Sequence, residues 1–205
     1  MTSKVLKIGI MGGTFDPIHY GHLVTAEGAR SAFNLDQVLF LPTGRPPHKT
    51  MAKVSDPEHR YMMTVLATLT NPHFEVSRLE IDRSGVSYTI DTLRILRKQY
   101  GQQAELFFIT GADAMFDIMS WKDAEDYLTI AHFVAASRPG FSLEELPQST
   151  RVWVDQHRER FHVLQVPAMA ISSTEIRERV GLGNSIRYLV PESVEHYIRR
   201  QHLYR

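Results

Sequence analysis

The chain has 205 residues, 43% of them hydrophobic, enough for one sizeable domain with a real core and cramped for two. Lys and Arg number 23 and Asp and Glu also 23, so the overall charge points neither to a nucleic-acid polyanion nor to an anionic membrane surface, and any anion site must be local. With no cysteine, disulfides, thiolate zinc sites and a cysteine nucleophile are excluded together, and a reducing compartment, the cytoplasm, is the expectation.

In chain order, "VLKIGI" at residues 5–10 predicts a strand; it is too short for a signal-peptide core, and no window reaches the roughly 18 to 20 apolar residues of a membrane span. A helix follows over residues 20–33, then a strand in "QVLFL" and a helix over 58–69. The loop before that helix, residues 42–59, is long for a compact domain, and Ser55 with Glu58 reads as its capping box. Next come a strand in "HFEVS", the helix "YTIDTLRILRKQY" closed by Gly101, a strand in "AELFFIT", a helical stretch over 112–128 and a strand in "HFVAAS". Residues 139–160 fit strand or helix equally. A strand in "FHVLQV" and helices over 173–180 and 191–200 complete the chain. Strands alternating with helices imply parallel pairing, and strands apolar at almost every position imply helices on both faces. The expected fold is one Rossmann-like α/β domain, residues 1–205, with a doubly wound, mainly parallel sheet.

In such a sheet ligands bind beyond the carboxyl ends of the strands, where "MGGTFDPIHYGH" falls. Gly12 and Gly13 let the backbone turn tightly, Asp16-Pro17 fixes a turn, and His19 and His22 share one helical face at a helix N-terminus, which attracts anions. Gly21 removes a side chain from the same surface. A zinc pair would want a third protein ligand and a base, and no H-E-x-x-H is present; a dinucleotide fold would want G-x-G-x-x-G and a ribose-binding acid, and neither is present. "GGTFDPIHYGH" closely resembles the H-x-G-H signature of the nucleotidyltransferase superfamily. That resemblance implies that His19 and His22 bind nucleotide phosphates and stabilise the transition state at the α-phosphorus, with Gly12, Gly13, Thr14 and Phe15 lining the ATP site.

"ISSTEIRERV" opens a later helix. Ser172 and Glu175 form a capping box, and the same cap offers hydroxyls and backbone N–H groups to an anion, with Arg177 one turn in. The superfamily carries a similar Ser-Ser-x-x-Ile-Arg element. By that resemblance Ser172, Ser173 and Arg177 hold the β and γ phosphates of ATP, with Ile171 also in the ATP site and Arg177 catalytic alongside the two histidines.

"GVSYTIDTLR" starts a helix with Ser87, Tyr88 and Thr89, and "GADAMFDIMSWKDAEDYL" contains Trp121, which alone would be read as core. Both segments resemble the bacterial nicotinate mononucleotide adenylyltransferases, as do "LPTGRPPHK", "SRPG" and "YLVPESVEHYI". The resemblance implies that Trp121 stacks on a pyridine ring and that the Ser87-Tyr88-Thr89 turn receives its carboxylate. It also places Gly111 and Asp113 by the adenosine, and His48, Lys49 and Arg138 near phosphates. Arg45 and residues 141–160 match no pattern of the family. The implied reaction moves AMP from ATP to nicotinate mononucleotide and releases pyrophosphate, with Mg2+ accompanying ATP and no acidic cluster to cage it. Partners are then small molecules, with no nucleic acid or membrane and room for a homo-oligomer. The rivals are phosphopantetheine adenylyltransferase, which shares the phosphate motifs, and a nucleotide-binding regulator without turnover.

Overall fold

A computed structural model describes residues 4–47, 54–137, 141–167 and 169–205. Six strands form one sheet in the order β3-β2-β1-β4-β5-β6, the arrangement of a Rossmann-like fold, with its switch of direction between β1 and β4. The strands are β1 Lys7–Gly13, β2 Gln37–Pro42, β3 Phe74–Val76, β4 Glu105–Gly111, β5 His132–Ser137 and β6 Phe161–Gln165. β1, β4, β5 and β6 pair in parallel, with Ile8 opposite Leu106 and Phe108 opposite Phe133. The helices are α1 Tyr20–Phe33, α2 Pro57–Thr68, α3 Thr89–Tyr100, α4 Tyr127–Ile130, α5 Gln148–Gln156, α6 Ser173–Gly181 and α7 Glu192–Arg200. No described helix is long and apolar enough to cross a membrane.

Packing divides the chain into two compact units. The first takes the chain up to Gly12, Thr25–Val38 and the segment from Tyr88 to the end of β6. Its core is the strand interior of Ile8, Ile10, Leu106, Phe108 and Phe133, against Leu93 and Leu96 of α3, all 3% exposed or less. β6 buries only Phe161 fully and leaves Val163 half open, as an outer strand does, whereas β1 and β4 are apolar throughout their centres. The second unit holds Gly13–Val24, Leu39–Ser87 and the segment from Met169 onward. Phe15, Ile18, Phe40, Met63, Ile176, Val194 and Ile198 fill its core.

Two local expectations are corrected. α2 is capped by Asp56, whose carboxylate accepts from the Glu58 amide, and not by Ser55, whose amide is spent on the Asp16 carboxylate at 3.1 Å. Residues 112–128 are not one helix. They run as 3-10 turns at Ala112–Phe116, Ile118–Ser120 and Ala124–Asp126 before the single turn of α4. The reason is the spacing of the apolar residues: Ala112, Met115, Ile118, Ala124 and Tyr127, all buried, recur at multiples of three, which matches a 3-10 helix and drifts off one face of an α-helix. Residues 139–160 resolve, where described, into a 3-10 turn at Leu143–Glu145 and then α5, whose Trp153 is 3% exposed.

Candidate active site

β1 leaves the sheet at Gly13, and the next ten residues form the first candidate site, wholly within the second unit. The glycines serve here by their lack of bulk. A Cβ on Gly13 would come within 2.7 Å of the Phe15 ring, while Gly12 meets only ordinary contact. The unusual backbone belongs to Phe15, at φ 50°, a left-handed conformation that a bulky residue adopts only under constraint.

α1 begins at Tyr20, so His19 stands just ahead of the first turn and His22 lies within it. Their rings lie 3.8 Å apart between centroids, tilted by 32°, and His22 sets its edge against Phe15 at 5.1 Å. The His19 backbone N–H donates to Nδ1 of His22 at 3.2 Å. In a neutral His22 the proton therefore sits on Nε2, which becomes a directed donor. Nδ1 of His19 is buried without a hydrogen-bond partner among the described residues. Gly21 makes room for that ring, since a Cβ there would stand 3.0 Å from His19 Nδ1 and Cε1.

Burial lowers His19 to a pKa of about 4, and burial together with the neighbouring His19 lowers His22 to about 3. Both rings are neutral at pH 7 in the unliganded protein. Unfolded, each would protonate near 6.5, so on acidification the unfolded chain binds more protons than the folded one. Their contribution to stability is complete above 6.5 and is lost as the pH falls toward 4. The midpoint of urea denaturation should thus be lower at about pH 5 than at about pH 7.5, and His22→Asn should narrow the gap. A variant with an unchanged gap would contradict the assignment.

α6 meets the turn from the same unit. Ser172 caps it, accepting from the Glu175 amide at 3.1 Å, but Glu175 turns away to Arg179 rather than closing the box. The Ser173 hydroxyl donates to the Pro17 carbonyl at 2.8 Å, and Arg177 donates to the Asp16 carbonyl at 2.7 Å and to Thr174 Oγ1 at 3.3 Å. Ile171 and Arg177 are half-buried and Ser172 is exposed. The sequence motif that was read as a phosphate grip is thus also the clamp that docks α6 on the histidine turn. A guanidinium carries five N–H donors, so Arg177 keeps capacity for an anion.

The second candidate site lies in the first unit. Gly111 ends β4 with open space where a Cβ would be, and Asp113 is exposed in the 3-10 turn after it. Trp121 is partly exposed and meets Phe108 and Tyr127 edge to face, at 6.5 and 5.8 Å. It borders a cleft of about 460 Å³ with Arg94, Met119, Asp123 and Asp126. Tyr88 caps α3 with its ring under the Lys122 ammonium at 4.9 Å, and the Thr89 hydroxyl bonds the phenol of Tyr127, which burial pushes well above its ordinary pKa. In the second unit, Ser87 exchanges hydrogen bonds with the backbone of Arg45, 2.9 Å from its amide to the Arg45 carbonyl and 3.3 Å from the Arg45 amide to its hydroxyl. His48, Lys49 and Arg138 lie outside the described residues.

Sequence reasoning missed Arg60 and Tyr204. Arg60 is fully buried and donates to the carbonyls of Thr14, Ser55 and Gly44 at 2.9, 2.9 and 3.2 Å; Tyr204 donates to the Asp16 carboxylate at 2.7 Å. A charged residue inside α2 next to Met63 carried no motif to mark it.

Among the described residues, no group of three or more His, Asp and Glu could hold a metal ion. The first site presents imidazole, guanidinium and backbone donors. That set suits phosphate oxygens rather than a hard divalent cation, which takes oxygen ligands, so such an ion accompanying ATP would be held by the substrate.

A Rossmann-like sheet whose first strand delivers paired histidines to a helix N-terminus defines a nucleotide-handling protein, and residues 10–179 match the model of the cytidylyltransferase-like family. Over 199 residues the chain is 57% identical to a probable nicotinate-nucleotide adenylyltransferase of Moorella thermoacetica, covering 97% of this chain and 92% of that protein. Over 202 residues it is 54% identical to another from Thermoanaerobacter sp., covering 98% and 96%. Among solved structures it resembles the Plasmodium falciparum nicotinic acid mononucleotide adenylyltransferase complexed with NaAD, with a TM-score of 0.78 at 21% identity over 97% of each chain, a likeness of fold. The chain belongs to the cytidylyltransferase-like family and, within it, to the nicotinate-nucleotide adenylyltransferases.

Proposed function

We propose that the chain, as one nucleotidyltransferase domain, transfers AMP from magnesium-bound ATP to nicotinate mononucleotide, giving nicotinate adenine dinucleotide and pyrophosphate in NAD synthesis. The observation that carries this reading is the paired histidine turn, with His22 holding a directed Nε2–H and His19 an unpartnered buried Nδ1. The names of relatives more than half identical support the choice of acceptor.

The acceptor's phosphate is mostly dianionic near neutrality and needs no base. One of its oxygens attacks the α-phosphorus of ATP, the bond from that phosphorus to the β-bridging oxygen breaks, and pyrophosphate leaves with the electron pair. Charge grows on the non-bridging and leaving oxygens. His19, His22 and Arg177 meet it with donors already in place, with the N-terminal amides of α6, Ser172 and Ser173 on the outer phosphates. Gly12, Gly13, Thr14, Phe15 and Ile171 line the nucleotide, Gly111 and Asp113 serve the adenosine, Arg138 serves the phosphates of ATP, and His48 and Lys49 serve the acceptor phosphate.

Trp121 stacks on the pyridine ring and the turn at Ser87, Tyr88 and Thr89 takes its carboxylate. With the Ser87 and Thr89 hydroxyls already engaged, backbone N–H groups at the start of α3 carry that contact. Stacking holds the ring whatever its substituent, so discrimination falls to the turn, where a carboxamide would set its NH2 against donors. A mismatched buried polar pair costs roughly 1 to 3 kcal/mol and the lost charge-assisted bonds add to it, so a preference of about 100-fold for nicotinate over nicotinamide mononucleotide is expected. Comparing kcat/KM for both acceptors in the parent and in Trp121→Ala tests this. The variant should lose on both acceptors alike and keep the ratio. A parent that uses both equally contradicts the turn, a variant with unimpaired acceptor use contradicts the stacking, and a parent that prefers phosphopantetheine contradicts the acceptor altogether.

A further inference from the structure

The histidine turn is gripped from several sides at once. Four of its carbonyls are taken: Gly13 by the Thr43 amide, Thr14 by Arg60, Asp16 by Arg177 and Pro17 by Ser173. These bonds hold the main chain. The Asp16 side chain, 3% exposed and three residues ahead of His19, is held separately, by the Ser55 amide on one oxygen and the Tyr204 hydroxyl on the other.

Tyr204 reaches it from a tail that follows α7. That tail holds His202 and Tyr204 at φ 53° and 66°, a left-handed backbone that L side chains keep only when their contacts over-determine it. The Tyr204 carbonyl lies against the end of α6, where a Cβ on Gly181 would stand 3.3 Å from it. The same residue therefore touches both segments that carry the phosphate motifs, α6 through its backbone and the histidine turn through its hydroxyl. Burial and the adjoining carboxylate push the Tyr204 phenol far above its usual range, so it remains a donor at any working pH.

We propose that Tyr204 is a positioning residue for the phosphate turn, acting through Asp16 to hold His19 and His22 where they meet the nucleotide; this rests on the role given to those histidines above. It touches no substrate. Arg60 secures the main chain of the turn, and Tyr204 secures the one side chain that could otherwise let it rotate.

Tyr204→Phe removes a single oxygen and keeps the ring. Its kcat with ATP and nicotinate mononucleotide should fall on the order of 10- to 100-fold, with the acceptor KM held within about twofold, because displaced groups lose transition-state contacts before binding ones. In histidine-labelled protein without ligand, NMR should show the His19 and His22 ring resonances moving while those of His132 and His162, on β5 and β6, stay. Asp16→Asn probes the same bond from its other end, and serves alone should Tyr204→Phe fold poorly; the double variant should be no worse than the worse single. A Tyr204→Phe protein with a lowered melting temperature but parental kcat and unmoved His19 and His22 resonances would show a residue that only packs, and would overturn the proposal. If the parent itself released no pyrophosphate, the reading of function would fail, while the resonances would still decide whether Tyr204 positions the histidines.

Discussion

His22→Ala is expected to fold and to lose about 100- to 1,000-fold in kcat at saturating ATP and acceptor, the usual cost of removing one transition-state donor. The size follows from how the ring is held. Its Nδ1 accepts the His19 amide and it packs on Phe15, so neither rotation nor tautomer is left to chance, and Nε2–H is left as a directed donor. Water filling the gap would not be preorganised. The ring also takes the His19 amide and packs against Phe15, so some stability should go with it, and turnover is compared under conditions where both proteins are folded. Pyrophosphate release by the variant beside the parent measures it. Turnover near that of the parent would remove His22 from the chemistry.

Arg60→Ala should be the most destabilising single change, by about 3 to 5 kcal/mol, the range found when one member of a buried charged network is removed. Arg60 is fully buried, with Asp16, Asp56 and Glu80 as the carboxylates that act on its charge. Without it the Thr14, Ser55 and Gly44 carbonyls lose their donor, and the buried Asp16 side chain loses a nearby cation. Urea denaturation at neutral pH checks the value. A loss under about 1 kcal/mol would mean that the turn is held without it.

Most of the fold was legible because the strands are short apolar runs that alternate with helix-length amphipathic segments. α1 begins and ends where residues 20–33 predict. The misreading of residues 112–128 came from taking any helix-length amphipathic stretch as an α-helix. The three-residue recurrence from Ala112 to Tyr127 was visible in the sequence and points to 3-10 turns. The cap of α2 went to Asp56 because Ser55 lies one residue too early, its amide drawn to Asp16.

The candidate site was legible where motifs are local. H-x-G-H spacing places two imidazoles on one helix end, and Ser-Ser caps α6 as read. The sequence did not disclose that Ser173 and Arg177 also clamp the turn, nor that Arg60 and Tyr204 support it, since these bonds join residues up to 188 positions apart. Such pairs leave no periodicity to find. Only the tertiary fold brings them together.

In the proposed reaction the acceptor's own phosphate attacks ATP directly at the histidine turn. The measurement that tests it uses nicotinate mononucleotide labelled with oxygen-18 in its phosphate, incubated with ATP, magnesium ion and the protein, with products read by mass spectrometry. Direct attack gives one pyrophosphate, free of label, for each dinucleotide, with all the label retained in the dinucleotide. Label in the pyrophosphate, or pyrophosphate formed at the same rate without any acceptor, would contradict it.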